Sequence, residues 1–271
     1  DPADFILWKP SIGDQPGWDS PWGHGRPGWH IECSAMSEKY LGEQFDIHGG
    51  GVDLVFPHHE NEIAQSVCVH PQAPFARFWV HNGYLMSEGE KMSKSLGNFY
   101  TVTELLDEFS GEALRLALLK THYRQPLDFT KDGVREAKRE LDGFYGALRD
   151  GADRQDGNAS DPVLSALADD LNTPAALAEL HGLLRRVNTG DAQASELRVA
   201  GALLGLLQQD ADAWFQGEGG DVAEIENMIA ARYAARSVKD FAEADRIRDE
   251  LLADGIVLED GLDGTTWRRG S

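Results

Sequence analysis

The sequence predicts an α/β nucleotide-binding region over residues 1–100, an α-helical bundle over 101–217 and a small mixed α/β unit over 218–271. Three observations predict it. The apolar-alternating stretch Gln44–His48 runs into His48-Gly49-Gly50-Gly51 and then into a helical pattern at His58–Val69, the order of strand, glycine loop and helix. From Thr101 onward Leu, Ala, Phe and Trp recur at three-to-four spacing with Gly or Pro between the runs, as in amphipathic helices. Beyond Gly217-Glu218-Gly219-Gly220 the remaining pieces are too small for a large core of their own.

Composition bounds the function. With 271 residues, 41% of them hydrophobic, the chain can bury a real core. No run of apolar residues is long enough to span a bilayer, and Asp1-Pro2-Ala3-Asp4 lacks a basic and then apolar leader, so a soluble cytoplasmic chain without a membrane partner is expected. Cys33 and Cys68 are not expected to pair in that compartment. A net charge of −21 argues against a generic polyanion-binding surface. Any nucleic acid must be met by local basic patches, such as Lys120-Thr121-His122-Tyr123-Arg124 or Trp267-Arg268-Arg269; Arg185 and Arg186 read as solvated helix faces.

Taken in order, residues 8–27 read as a Gly-, Pro- and Trp-rich loop. Trp29–Gly42 has apolar residues at Ile31, Met36, Tyr40 and Leu41 and stops at a glycine, as helices do. Pro57 opens the helix His58–Val69, where a missing N–H is harmless, and Pro71 ends it. Phe78–Leu85 alternates like a strand. Thr101 and Glu104 form a capping box. Further helices are predicted over Ala113–Lys120, Lys131–Arg149, Asp161–Ala168, Pro174–Val187, Ala194–Phe215, Val222–Arg236 and Asp240–Ala253. Gly151–Ser160 reads as a surface loop, and Ile256–Glu259 and Thr265–Arg268 as short strands after a turn at Gly255.

The chemistry concentrates in the first region. Cys33 lies in a helical pattern, and His58 and Glu62, four apart, share one helical face, so the three can converge on one ion. Thiolate, imidazole and carboxylate together suit zinc. His59 points about a hundred degrees from His58 and reads as structural or supporting. Cys68, off the shared face, reads as a buried thiol, Glu60 as solvated, and Trp29 taken alone as core. The string Gly89–Asn98, GEKMSKSLGN, sets Lys91 and Lys94 between glycines; mobile lysines suit a phosphate whose charge grows during reaction.

Four strings together carry a resemblance: PGWHIECSAM at Pro27–Met36, FDIHGGGVDLVFPHHENEIAQS at Phe45–Ser66, GEKMSKSLGN, and KDFAEADRIRDEL with GIVLEDGLDGTTWRR near the C-terminus. In motif order and spacing the chain resembles the C-terminal part of the cysteinyl-tRNA synthetases, which are class I aminoacyl-tRNA synthetases. The resemblance implies that the first region is the second half of a Rossmann-type catalytic domain. It implies that residues 101–217 hold a stem-contact region and tRNA-binding bundle, and residues 218–271 an anticodon-recognition unit.

It also implies roles. Cys33, His58 and Glu62 resemble three of four zinc ligands, and Trp29 the aromatic wall of the amino-acid pocket. A zinc ion open to the substrate thiolate tells cysteine from serine, because soft sulfur binds it better than a hydroxyl. His48, Gly50, Gly51 and Asp53 resemble the ATP-binding segment, and Lys91 and Lys94 the catalytic lysines that neutralise triphosphate and pyrophosphate. Phe241, Asp245 and Asp260 resemble anticodon-proximal positions, where a ring stacks on a splayed base and carboxylates accept from guanine. The activity implied is ATP- and Mg²⁺-dependent activation of L-cysteine as the adenylate and its transfer to the 3′ end of tRNA(Cys), by a monomer.

The family's His-Ile-Gly-His segment and fourth zinc ligand, a cysteine just before it, do not occur in this sequence. The chain is therefore expected to be an incomplete portion, inactive without the missing N-terminal half. Two other readings are a cysteine ligase of the mycothiol type, against which the C-terminal strings argue, and a truncated non-catalytic relative that keeps zinc and binds RNA.

Overall fold

The computed structural model describes residues 4–92, 99–150, 161–217, 222–261 and 264–269. The chain forms two compact units, Asp1–Phe99 with Thr121–Phe129, and Tyr100–Lys120 with Thr130–Ser271.

In the first unit, β1 (Trp8–Pro10) and β2 (Gly25–Pro27) pair antiparallel, so the stretch expected to be a loop is partly a ribbon. The indole of Trp8 donates to the Gly23 carbonyl, and Arg26 donates to the Pro10 carbonyl, Ser11 and Gln15. These bonds order a segment whose composition suggests only turns. α1 (Trp29–Leu41) ends at Gly42, whose φ of 95° is the left-handed geometry that favours glycine. β3 (Phe45–Gly51) pairs in parallel with β4 (Ala76–Asn82), joined by turns over Val52–His59 and by α2 (Glu60–Val69), a βαβ crossover.

This corrects the order strand, glycine loop, helix. The three glycines lie within β3, with Gly49 opposite Val80, Gly50 opposite His81 and Gly51 opposite Asn82. A Cβ at Gly49 would come 2.9 Å from the Val80 carbonyl oxygen, and one at Gly50 would meet the His59 ring at 3.1 Å. Glycine is required here by what packs on the strand. The small apolar core under the pair is Phe45, Phe75 and Ala76, with Ile63 and Trp79 against it. The strand expected at Phe78–Leu85 divides into β4 and β5 (Leu85–Ser87); β5 lies between β6 (Glu90–Lys91) and β7 (Leu127–Phe129).

In the second unit, α3 (Val102–Glu108) starts with the expected capping box: the Thr101 hydroxyl accepts from the Glu104 N–H while the Glu104 carboxylate accepts from the Thr101 N–H. α4 (Gly111–Leu119), α5 (Lys131–Asp150), α6 (Asp161–Ala168), α7 (Thr173–Thr189), α8 (Ala194–Ala202) and α9 (Ala211–Gln216) follow. On α5 Val134, Ala137, Leu141, Phe144 and Tyr145 have no exposed surface and recur at helical spacing, the stripe that organises the bundle.

The single helix expected over Ala194–Phe215 is broken between Ala202 and Ala211, where Gly205 and Leu207 take φ of 67° and 61°. The Glu112 carboxylate holds this break by accepting from the Leu207 N–H, the Gln209 amide and the Tyr145 hydroxyl. Arg115 donates to the Leu204 carbonyl at 2.6 Å. Hydrogen bonds from far away in sequence thus outweigh a run, Val199–Leu207, that has helical periodicity.

α10 (Val222–Ser237) and α11 (Phe241–Ala253) pack beside the antiparallel β8 (Ile256–Gly261) and β9 (Gly264–Arg269). Ile225, Ile229, Ile247, Leu251, Ile256 and Trp267 fill the space between them. The expected loop at 151–160, and residues 218–220 of the expected Gly217–Gly220 boundary, lie outside the described residues.

Candidate metal centre

α1, the turn Val55–His59 and α2 bring Cys33, His58 and Glu62 together: one ligand atom from each lies within 4.8 Å of the others. His58 and Glu62 are buried, and Glu62 has no exposed surface. The two are held by the turn Val55–His59 running directly into α2, which keeps the i,i+4 relation across the junction.

The two oxygens of Glu62 have different surroundings. Oε2 lies 2.9 Å from His48 Nε2, on β3. Oε1 lies 3.6 Å from His58 Nε2, is sealed from solvent, and has no hydrogen-bond partner among the described residues. The only ion-pair neighbours of Glu62 there are histidines. Burial pushes its carboxyl up to about 7, the Cys33 thiol beside it pulling the other way. Burial and the charge of Glu62 raise Cys33 in turn. Burial holds back the ionisation of both groups and the charge of Glu62 holds back that of Cys33, an arrangement that a divalent cation would relieve.

His58, His59 and His48 are held toward the neutral form. Burial lowers His58, with His30 adding to it. Burial lowers His59 to about 4, with His48, His81 and His58 adding to it, and lowers His48 with help from His58 and His81. Neutral imidazole is the form that binds metal. His59 Nδ1 lies 2.8 Å from His81 Nε2, and His48, His59 and Glu62 form a second convergent group sharing the carboxylate. A thiol, imidazoles and a buried carboxylate in one cluster, with a sealed carboxylate oxygen that has no partner among the described residues, fit zinc.

Trp29 does not enter the core: it is 58% exposed, and its ring lies on His58 at 4.1 Å and 24°. Cys68 is exposed and unpaired, not buried, because it falls on the outer side of α2. Glu60 and Asp53 are exposed, while Gly50 and Gly51 are half-buried in β3. Lys91 ends β6, and Lys94 lies outside the described residues.

In the second unit Phe241 is 62% exposed at the start of α11, beside the cap Asp240. Asp245 pairs with Arg248 at 3.3 Å. Asp260 accepts from Arg232 on both oxygens, at 2.9 and 2.8 Å, and also from Thr265 and Arg236. Those four bonds fill the acceptor positions of a carboxylate, so a base edge at Asp260 must displace one of them. Sequence reasoning missed His30 and His81, whose partners His58 and His59 are distant in sequence.

Residues 1–139 match the family model described as tRNA synthetases class I (C) catalytic domain, residues 162–212 a DALR domain, and residues 220–268 the cysteinyl-tRNA ligase anticodon binding domain. The fold is that of a class I synthetase, with helical and mixed α/β parts. The chain belongs to the cysteinyl-tRNA synthetase family. It is 61% identical to a cysteine–tRNA ligase of Rhodospirillum rubrum, over 99% of this chain and 61% of that protein. It is 62% identical to one of Acidiphilium cryptum, over 99% of this chain and 60% of that protein. The chain thus spans about three fifths of the length of these relatives. A solved complex of LeuRS, tRNA and LeuAMS from Agrobacterium radiobacter gives a TM-score of 0.43 at 20% identity, covering 59% of this chain and 24% of that one, too slight to bear on the fold. Among the described residues no helix is long and apolar enough to cross a membrane.

Proposed function

We propose that the chain is the cysteine-selecting and tRNA-reading portion of a cysteine–tRNA ligase, which activates L-cysteine with ATP and Mg²⁺ and passes it to the 3′ end of tRNA(Cys). The observation that carries this is the convergence of Cys33, His58 and Glu62, with the sealed and unpartnered Glu62 Oε1 between them, in a chain of this family. Those three residues would hold zinc, which when bound offers a soft Lewis-acid position to the substrate thiolate and so rejects serine. Trp29, stacked on His58, walls the cysteine pocket and keeps water from one side of it.

Residues 1–100 are the second half of a Rossmann-type catalytic domain, with His48, Gly50, Gly51 and Asp53 facing ATP. Lys91 and Lys94 act on the phosphates, their positive charge offsetting what accumulates as pyrophosphate departs. Residues 101–217 contact the tRNA stem, and Phe241, Asp245 and Asp260 of 218–271 face the anticodon. The match of residues 220–268 to an anticodon binding domain disfavours the ligase that delivers cysteine to an amino-sugar. The protein works as a cytoplasmic monomer.

Cysteine-dependent ATP–pyrophosphate exchange tests the reading. Exchange is expected from the chain supplied with the remaining two fifths of its relatives' length, and not from the chain alone, because positioning and half of the charge stabilisation are then lacking. Exchange that serine supports as well as cysteine overturns the proposal.

A further inference from the structure

His30 has no role in the readings above, yet its Nδ1 lies 2.7 Å from Nδ1 of His58. Two ring nitrogens at that distance share one proton: one donates and the other accepts. The other nitrogen of His58, Nε2, faces Glu62 Oε1 and belongs to the group that includes Cys33. A nitrogen that binds a cation must keep its lone pair free, and a neutral imidazole carries one N–H. The His58 proton then sits on Nδ1, His30 Nδ1 accepts it, and the proton of His30 sits on its own Nε2.

The acceptor is itself fixed. Phe5 meets the His30 ring edge-on at 5.5 Å, and Trp29 stacks on it at 5.5 Å and 24°. Ser34, one turn on along α1, donates to Gln65 of α2 at 2.6 Å, so the helix carrying His30 is tied to the helix carrying Glu62. Trp29 stacks on both imidazoles and fixes the plane of the His58 ring, and the Nδ1 contact to His30 selects which way round it lies.

We propose that His30 is a positioning residue that sets the tautomer and ring angle of His58 and so presents Nε2 to the metal. The proposal rests on the zinc reading above. It explains why a histidine stands one turn before Ser34 on the inner face of α1 although it touches neither Cys33 nor Glu62 in any bond described.

Two measurements on the whole chain test it. Long-range ¹⁵N NMR of the metal-free chain reads the tautomers: His58 is expected as Nδ1–H and His30 as Nε2–H. His58 found as Nε2–H overturns the proposal without any variant. Cobalt(II) titration, read by thiolate charge-transfer absorption, is then compared between the parent, His30→Phe and His30→Asn. His30→Phe keeps a ring between Phe5 and Trp29 without an acceptor, and should bind cobalt about ten- to a hundredfold more weakly. His30→Asn keeps an acceptor near the Nδ1 position and should recover most of that loss. Unchanged affinity in His30→Phe, or equal losses in both variants, overturns the proposal. A parent that shows no charge-transfer band, or a Cys33→Ala variant that titrates like the parent, removes the zinc reading and this proposal with it.

Discussion

In the C-terminal part of the second unit, Trp267, Leu251, Ile256 and Ile247 are almost fully buried, and the one polar atom among those side chains, Trp267 Nε1, donates to Glu226 at 2.7 Å. In the first unit the side chains buried to a similar depth around α2 are His58, His59 and Glu62, and one oxygen of Glu62 has no partner among the described residues. The apolar core beside them is three residues. One region is held by apolar area taken out of water, at about 25 cal/mol per Å². The other gives up that area to bury a polar cluster, and a cation bound there would add to its stability. A region whose buried groups satisfy one another needs nothing further, whereas a sealed carboxylate oxygen without a partner among the described residues leaves room for a cation.

The largest effect that sharpens the contrast is expected from Trp267→Ala. Its side chain fills the space between α10, α11 and the β8–β9 hairpin, and its indole donates to Glu226. Urea titration followed in the second unit should show a loss of about 3–5 kcal/mol, the range for deleting a buried aromatic. Zinc should leave that variant's deficit unrepaired. A loss under about 1 kcal/mol would put Trp267 outside the core, contrary to its burial.

Next in size is metal itself. Zinc at about a hundredfold its dissociation constant should stabilise the first unit by about 2.7 kcal/mol and the apolar hairpin region not at all. Chelation should reverse it, and the double variant Cys33→Ala, His58→Ala should abolish it. Zinc content unchanged in that double variant, measured after dialysis, would remove both residues from the ligand set.

Asp260→Asn should cost about 1–3 kcal/mol, because Arg232 is buried and loses its bidentate partner. Arg232 first, then Thr265 and the Arg236 charge, hold the Asp260 carboxyl well below the usual carboxylate range. A depressed folded pKa contributes stability that is present above the unfolded value and lost as pH falls toward the folded one. The gap between wild type and variant should therefore narrow below about pH 4, where the unfolded carboxylate takes up its proton. A gap that stays constant from neutral pH down to about pH 2 would show that the ion pair is not what the variant removes.

Much of the second unit was legible in the sequence because its signals are local. The Thr101 and Glu104 capping box and the α5 stripe are read over a few turns, and both stand where expected. The break between α8 and α9 was not legible, since Glu112, which holds it, lies 95 residues from Leu207. At the candidate centre Cys33, His58 and Glu62 were legible as residue types whose ligand atoms could come together, and the structure does bring them within 4.8 Å of one another. His30 was not legible, because its meaning lies in a nitrogen 28 residues away, and the glycines misled: the space that Gly49 and Gly50 need is set by Val80 and by Leu54 and His59 packed on the strand, not by a loop. Strands of three residues such as β1, β5 and β7 are too short for periodicity to register.

The smallest effect on folding, and the one that tests what the hairpin region is for, is expected from Phe241→Ala. Phe241 is 62% exposed at the first position of α11, and the helix start is secured by Asp240 accepting from the Glu243 N–H, which the substitution leaves alone. Its stability change should fall within about 0.5 kcal/mol, as for other surface positions. An aromatic ring kept in water contributes little to a core, and its open face is available for stacking. If a splayed base of the cysteine tRNA stacks there, the same variant should lose about 1–3 kcal/mol of RNA affinity. Filter binding of the chain to that tRNA, beside an anticodon-substituted one, separates the two effects. Loss of affinity for the cognate RNA alone, at unchanged stability, is the expected result; equal binding by variant and wild type would return Phe241 to the solvated surface of an ordinary helix start.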